Sequence, residues 1–348
     1  MKKVLWLLSL SAMLAGLGYF WPHQAAIEPV AETPAKATPS DGTTAEKKPQ
    51  AKPAHINVTE KIPEPVTESF KLLASAYAAE LNTPPYSRPL SIDDEHLLQP
   101  NQYIVQTVPL QGGASAAIVL PKYRFSYPEA VPVTLQVSGL QVSDVSVRLQ
   151  HEASMEHTES KAMQGTPEHY TATLDADDSW NGSFEVQVSF SASGQQQVLK
   201  TGIEYYNPVA TVTAVGEPFG IGSDMHIPVK IDVKQKGFYR LRANLYTEQR
   251  QPLALLTATK KLSKGEAEIT LKAFKAVLRQ HGGPFILSTF LLEKRPTVPG
   301  EQTQYGDSEK AQYSLDYFSL DQLSDEPWQP DEQELQRLQF LQQMATEQ

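Results

Sequence analysis

Apolar and polar residues alternate over most of the chain beyond Tyr103. In one stretch Val131, Val133, Leu135 and Val137 are separated by single residues that are polar or proline. A period of two places the apolar side chains on one face of a β-strand. Turn signals separate several short runs of this kind, which predicts an antiparallel β-sandwich over residues 103–206. The predicted strands are Tyr103–Val108, Ser115–Leu120, Tyr123–Tyr127, Val131–Val137, Val145–Leu149, Tyr170–Leu174, Phe184–Phe190 and Val198–Tyr205.

A second set of alternating runs begins after Asn207-Pro208. In GFYRLRANLY (237–246), every second residue from Tyr239 is apolar, while Phe238, Arg240 and Arg242 share the opposite face. These three are candidate interaction residues, on a face that is either an exposed binding surface or covered by the other domain. We predict a second sandwich over 207–321, so the fold class is mainly β with two consecutive antiparallel β-sandwiches. Its predicted strands are Val209–Val215, His226–Val233, Phe238–Tyr246, Leu253–Lys261, Ala267–Leu271, Phe285–Leu292 and Gln312–Leu320.

Residues 225–293 carry four loose motifs: GFYRLRANLY at 237–246, Pro252-Leu253-Ala254, Leu262-Ser263-Lys264-Gly265 and Gly283-Pro284-Phe285-Ile286-Leu287. This pattern resembles a β-sandwich module found in many exported bacterial proteins. The resemblance covers about a fifth of the chain. It implies an immunoglobulin-like or fibronectin-like accessory fold and carries no catalytic residue to this chain.

The segment 66–102 has a different pattern. Phe70, Ala74, Tyr77 and Leu81 recur at helical spacing, and Thr67 is suited to cap the helix. The stretch that follows is rich in proline and turn residues but keeps some apolar side chains. We therefore expect a short helix and then an irregular strap packed on the domain that comes next.

The C-terminal segment 322–348 is acidic and ends in a predicted amphipathic helix. Asp331 and Glu334 have the spacing of a capping box, and Leu335, Leu338 and Leu341 form an apolar stripe. A helix of about 15 residues is marginal in isolation. We expect the stripe to dock on the second sandwich or on a partner, which makes its leucines candidate interaction residues.

The N-terminal segment 1–21 contains 18 uncharged residues, Val4–Trp21, after Lys2 and Lys3. As a helix it spans roughly 27 Å, close to the hydrocarbon thickness of a bilayer. It is either an inner-membrane anchor or a cleaved signal peptide. The anchor is favoured because the A-x-A-like cleavage sites are poor and aromatic residues lie at the exit. Residues 22–65 are rich in proline, alanine and lysine, and predict a disordered linker that tethers the rest of the chain.

Composition narrows the possible chemistry. The 348 residues include no cysteine, which excludes disulfides, thiol nucleophiles and zinc–thiolate sites. The net charge of −10, without a strongly basic domain, argues against nucleic acid as a partner. The sequence contains no G-x-S-x-G, S-x-x-K, H-E-x-x-H or P-loop motif. We therefore expect a protein that is not an enzyme and has no cofactor.

One stretch, 151–170, has a site-like composition. It contains His151, His157 and His169 together with Met155, Met163 and several glutamates. Histidine with methionine binds copper, and histidine with carboxylates binds zinc. The histidine spacings match no common metal-ligand template, so a solvated loop between two strands is the favoured interpretation and these histidines are weak metal candidates.

Three functional hypotheses follow. The first is a non-enzymatic binding or scaffolding protein of the bacterial cell envelope, anchored in the inner membrane with most of the chain in the periplasm. Its partner would be an envelope protein or a cell-wall component. The second is a carbohydrate-binding or glycan-active accessory protein. The third is a metal-binding protein that uses the 151–170 loop. Cleavage after export would instead make the protein soluble in the periplasm or secreted.

Overall fold

The computed structural model describes residues 64–158 and 160–346, which form a mainly β structure. The predicted membrane segment 1–21 lies outside these residues, as does the predicted linker 22–65 except for its last two positions. Within the described ranges, no helix combines the length and apolar character needed to cross a membrane. The first elements are α1 (Glu64–Glu80), β1 (Ser87–Pro89) and α2 (Glu95–Leu98).

The first β-unit contains two sheets that enclose one apolar core. Its strands are β2 (Thr107–Pro109), β3 (Ser115–Val119), β4 (Arg124–Ser126), β5 (Val131–Ser138), β6 (Val142–His151), β7 (Lys161–Ala162), β8 (Gln164–Thr166), β9 (His169–Leu174), β10 (Gly182–Ala192) and β11 (Gln195–Tyr206). One sheet has the order β2-β3-β5-β9-β8 and the other β4-β11-β10-β6-β7. The pairings are antiparallel except for β4 with β11.

The second β-unit repeats this sandwich-like arrangement around a separate core. Its strands are β12 (Ala210–Val215), β13 (Phe219–Ile221), β14 (Asp224–Val233), β15 (Gly237–Thr247), β16 (Pro252–Leu262), β17 (Gly265–Phe274), β18 (Phe285–Arg295), β19 (Gln304–Tyr305), β20 (Asp307–Ser308) and β21 (Gln312–Leu315). The larger sheet has the order β1-β16-β15-β18-β19, with β21 beside β18. The smaller sheet is β13-β14-β12-β20, with β17 beside β14.

The alternation read from GFYRLRANLY is confirmed in β15. Tyr239, Leu241 and Leu245 are fully buried in the core of the second β-unit, whereas Phe238 is 46% exposed on the opposite face. The predicted strand Gln312–Leu320 is too long, because regular pairing ends at Leu315. The residues that follow still contribute to the core, and buried Leu323 extends it beyond the expected boundary at 321.

The strap was expected to pack on the domain that follows it in the chain. This expectation is wrong, because the strap packs first on the second β-unit. Ser87–Pro89 forms β1 and pairs with Ala254–Leu256 at the edge of β16. Leu90 is fully buried and its backbone N–H donates to the carbonyl of Leu253 at 3.0 Å. The strap reaches the first β-unit only afterwards, where the Asn101 side chain bonds both backbone groups of Arg124.

The two longer helices pack on each other. The capping box predicted for α3 (Glu332–Met344) is confirmed, since Asp331 accepts from the N–H of Glu334 and Glu334 accepts from the N–H of Asp331. The expected docking on the second sandwich is wrong, because α3 takes α1 as its main neighbour. Thr67 is not a cap either: α1 begins three residues earlier, and Thr67 is buried within it.

Raising the pH from 10 to 12 is expected to destabilise the first β-unit through Tyr205. This side chain is fully buried, and its hydroxyl donates to the carbonyl of Glu129 at 2.8 Å. Burial raises the pKa of Tyr205 from 10 to about 12. Above pH 10 the unfolded chain loses a proton that the folded chain keeps. Stability is therefore full below pH 10 and falls by up to about 2–3 kcal/mol towards pH 12.

Urea denaturation at pH 9, 10 and 11 measures this loss. Tyr205→Phe should lower stability at pH 9, because the hydrogen bond is gone, and should also flatten the decline above pH 10. Tyr317→Phe is the control, since Tyr317 is 71% exposed. An unchanged alkaline decline in Tyr205→Phe would contradict the assignment.

Candidate interaction surfaces

The two β-units meet at a joint that includes Arg124, Glu204 and Tyr206 of the first unit and Tyr305 of the second. Arg124 Nε donates to Glu204 Oε2 at 2.7 Å. The Arg124 guanidinium also lies over the Tyr305 ring, 4.1 Å from its centroid, and the rings of Tyr206 and Tyr305 are 5.5 Å apart. The joint therefore combines an ion pair, a cation–π contact and an aromatic pair.

The electrostatics of the joint follow from its burial. Burial raises the pKa of Tyr206 and Tyr305, which disfavours their ionised forms. Burial alone would lower the pKa of Arg124, but the hydrogen bond to Glu204 and the neighbouring tyrosines leave it above the ordinary value. Both Arg124 and Glu204 are less than one-third exposed. Solvent therefore screens the ion pair only in part.

A cleft of about 500 Å³ opens beside the joint. The first β-unit contributes polar residues from the start of β10 and the end of β11, and the second contributes the 301–305 segment. The charged groups in its wall are already compensated, because Glu204 pairs with Arg124 and Glu301 lies 3.9 Å from Lys294. Its lining is Asn181, Gly182, Ser183, Glu204, Tyr205, Tyr206, Asn207, Glu301, Gln302, Thr303, Gln304 and Tyr305.

The face that carries Phe238, Arg240 and Arg242 is covered at one end and open at the other. Asn244 belongs to the same face but is 1% exposed, because its amide donates to the carbonyl of Leu97 in the strap at 2.8 Å. Further along, Arg240 and Arg242 both lie beside the carboxylate of Glu293, with N–O distances of 2.7 and 3.6 Å. The strap, and not the first β-unit, therefore covers this face at Asn244, while the face is exposed at Phe238.

Basic side chains gather at the open end of the second β-unit. Phe238 lies between Lys261 on β16 and Arg295 on β18. The turn that precedes β15 carries Lys234 and Lys236, and the turn between β16 and β17 carries Lys264. The pairing of Val233 with Gly265 brings these two turns together. We call Lys234, Lys236, Lys261, Lys264 and Arg295 the basic end.

The structure places the three candidate histidines in different surroundings. His151 ends β6 and packs edge-on against Phe184, at 4.8 Å between ring centroids. His157 forms an isolated antiparallel β-bridge with Gln150, the residue before His151. His169 begins β9 in the other sheet. Among the described residues, no group of three or more His, Asp or Glu side chains is arranged to hold a metal ion. The loop contains β7 and β8 and crosses between the sheets, rather than forming a simple hairpin.

The apolar stripe of α3 lies partly against α1. Leu338 and Leu341 are half-buried, whereas Leu335 is 44% exposed. On α1, Ala74 is buried and Leu73 is half exposed. The helix pair thus keeps an exposed apolar surface.

Two features escaped the sequence analysis: the joint and the basic end. Each is assembled from residues far apart along the chain, so no local motif marks it. The only sequence signal was the excess of lysine and arginine between residues 230 and 264, which alternation alone assigned to solvent-facing positions.

The structure defines a mainly β protein with two sandwich-like units joined into one body and a helix pair attached. No family model matches the sequence, and neither does any curated protein. Solved structures with partial similarity include a DUF4785 family protein from Legionella pneumophila, with 18% identity, 60% of this chain and 58% of that chain covered, and a TM-score of 0.42.

Two further structures are less similar. The tetra-tandem repeat in the extending region of a large adhesion protein shows 11% identity, covers 60% of this chain and 55% of that one, and has a TM-score of 0.23. Escherichia coli alpha-2-macroglobulin activated by porcine elastase shows 12% identity over 57% of this chain and 22% of that one, with a TM-score of 0.24. Likenesses this distant do not assign the chain to a family.

Proposed function

We propose that this protein is a non-enzymatic binding or scaffolding protein of the bacterial cell envelope. In this proposal Val4–Trp21 anchors it in the inner membrane, and two immunoglobulin-like sandwiches are presented in the periplasm. The predicted linker 22–65 tethers them as far as residue 63, because α1 begins at Glu64. A partner in the envelope, either a protein or a cell-wall component, would bind the presented surfaces. The observation that carries the proposal is the fastening of two sandwich-like units into one body behind an apolar N-terminal run.

The fastening has two independent parts. At the joint, Arg124 pairs with Glu204 across β4 and β11 and stacks on Tyr305 of the second β-unit. The strap, which precedes the first β-unit in the chain, pairs with β16 of the second β-unit, at the edge of the larger sheet opposite β19. Tyr86 contributes by donating to both carboxylate oxygens of Asp224, at 2.8 and 2.9 Å. A protein that positions other components needs such fixed geometry, whereas a flexible pair of domains would not hold it.

Fractionation of the full-length protein tests the anchor. We expect the protein in the inner-membrane fraction, resistant to extraction with high salt or carbonate, with residue 1 or 2 at its N-terminus. The matched control replaces Leu8 and Leu14 with arginine, which makes insertion of Val4–Trp21 unfavourable by about 5–7 kcal/mol. A mature N-terminus near residue 19 or 27, with the protein in the soluble periplasm, would refute the tether.

A second candidate function is favoured by the cleft at the joint. Its wall combines amides and tyrosines without an uncompensated charge, which suits a neutral polyhydroxylated ligand such as a glycan. Affinity capture from envelope extracts separates the two candidates. Recovery of a defined protein in stoichiometric amount supports a scaffold with a protein partner, and recovery of polysaccharide alone supports a glycan-binding protein.

A further inference from the structure

We propose that the basic end of the second β-unit docks on an anionic phospholipid surface, with Phe238 at the centre of the contact. This inference rests on the proposed membrane tether, which would keep the basic end within reach of a bilayer. It adds the orientation in which the body meets the membrane and the residues that set it.

The first step is geometric. In the register of the larger sheet, Phe238 has Lys261 on one side and Arg295 on the other. Lys234 and Lys264 lie in the two turns next to the pairing of Val233 with Gly265 in the smaller sheet, and Lys236 lies in the same turn as Lys234. Five cations therefore lie at the end of the sandwich that carries Phe238. All five are exposed.

The second step concerns charge. Among the described residues, no ion pair involves any of the five cations of the basic end. Two carboxylates, Asp232 and Glu266, lie near them on the smaller sheet. Glu293 is 6% exposed and held by Arg240 and Arg242, so it does not neutralise the surface. The basic end thus keeps an excess of positive charge.

The net charge of −10 does not cancel this local excess. At physiological ionic strength the Debye length is about 8 Å, so a surface in contact with the basic end responds mainly to charges within that distance. Each lysine or arginine close to an anionic membrane contributes about 1 kcal/mol of attraction. Five such residues around one contact are in the range that holds peripheral segments on anionic lipids.

The third step selects a membrane over a soluble polyanion. Phe238 is 46% exposed between Lys261 and Arg295, and Lys261 Nζ lies 5.7 Å from its ring centroid. A large apolar ring flanked by basic side chains is the composition of membrane-surface segments, in which the ring enters the headgroup region and the cations contact phosphates. A polyanion in solution offers no apolar layer for this ring.

The absence of cysteine permits a direct measurement. Full-length Thr259→Cys, labelled with an environment-sensitive fluorophore, is reconstituted in vesicles of phosphatidylcholine with or without phosphatidylglycerol. Thr259 is exposed and pairs with Arg240, two residues from Lys261. We expect a blue shift of the emission only with phosphatidylglycerol, reversed by 0.5 M salt. The same label at Gln251→Cys, an exposed position at the opposite end of β15 and β16, should not respond.

Charge reversal identifies the residues. Lys261→Glu with Arg295→Glu should lower the ratio of docked to undocked protein at least about tenfold, and Phe238→Ser should reduce the blue shift. The control with the same change in charge is Arg250→Glu with Lys310→Glu, which lie near each other away from the basic end. Retention of the response in Lys261→Glu with Arg295→Glu would overturn the proposal, and so would an equal response to polyglutamate without vesicles. Flotation of the full-length protein with neutral vesicles tests the anchor separately, so loss of flotation and loss of the fluorescence response are distinguishable results.

Discussion

Leu90→Ala is expected to lower the free energy of unfolding by about 3 kcal/mol and to release the strap from the second β-unit. Leu90 is fully buried, and it lies at the point where the strap stops pairing with β16. Its backbone carbonyl accepts a hydrogen bond from the Arg279 side chain. Leu90 is therefore held by its buried side chain and by its backbone. Truncation leaves a cavity that the surrounding strands cannot fill without moving, which is the reason for the size of the loss.

Denaturant unfolding measures the loss in free energy, and hydrogen exchange along β16 measures the release of the strap. Ile92→Ala is the matched control, because it removes a comparable amount of apolar side chain two residues away at a position that is 77% exposed. We expect the control to change stability by less than about 0.5 kcal/mol. Equal stabilities for the two variants, or unchanged exchange over Ala254–Leu256 at the edge of β16, would show that the strap does not contribute to the fold.

The β-strands and the C-terminal cap could be predicted because the information for them is local. From Tyr239 to Leu245 every second residue is apolar, because these side chains enter the core. The structure shows the same residues buried. The cap is likewise a contact between Asp331 and Glu334, three residues apart. Such features depend on neighbours in the sequence, so a single chain is enough to find them.

The path of the strap could not be predicted, because its partners lie far away along the chain. Ser87 pairs with Leu256, and the Tyr86 hydroxyl reaches Asp224. The prolines and turn residues of 82–102 indicated an irregular segment but gave no preference for one β-unit over the other. The burial of Asn244 has the same origin, since alternation places it on the outer face and only the strap covers it.

The candidate surfaces show the same division. Phe238, Arg240 and Arg242 were identified from one strand, and the structure places them on one face as predicted. The cations of the basic end come from two turns and two other strands. Their combined positive charge can therefore be recognised only from the folded structure. Closeness in the sequence does not guarantee closeness in the fold. His157 and His169 are twelve residues apart, but the chain crosses from one sheet to the other between them.

Arg124→Ala is expected to weaken the joint by about 3 kcal/mol, because it leaves Glu204 charged in a partly desolvated site and removes the stack on Tyr305. Hydrogen exchange measured by mass spectrometry should show faster exchange in β4 and β19 at the joint, with the cores of both β-units still protected. Arg148→Ala is the control: Arg148 bonds Gln187 at 3.0 Å within the first β-unit, and its loss should cost about 1 kcal/mol without changing β19.

A double-mutant cycle of Arg124→Ala with Glu204→Ala separates the ion pair from the stacking contact. If the pair dominates, the coupling energy should exceed about 1 kcal/mol, because neutralising Glu204 removes the uncompensated charge that Arg124→Ala creates. Tyr305→Leu then reports the stack, since it keeps an apolar side chain at the joint but removes the ring under the guanidinium. Strict additivity of Arg124→Ala and Glu204→Ala would mean that the ion pair, which lies within the first β-unit, adds nothing to the joint. Exchange in β19 as in the wild type for both Arg124→Ala and Tyr305→Leu would mean that the stack on Tyr305 does not hold the two β-units together.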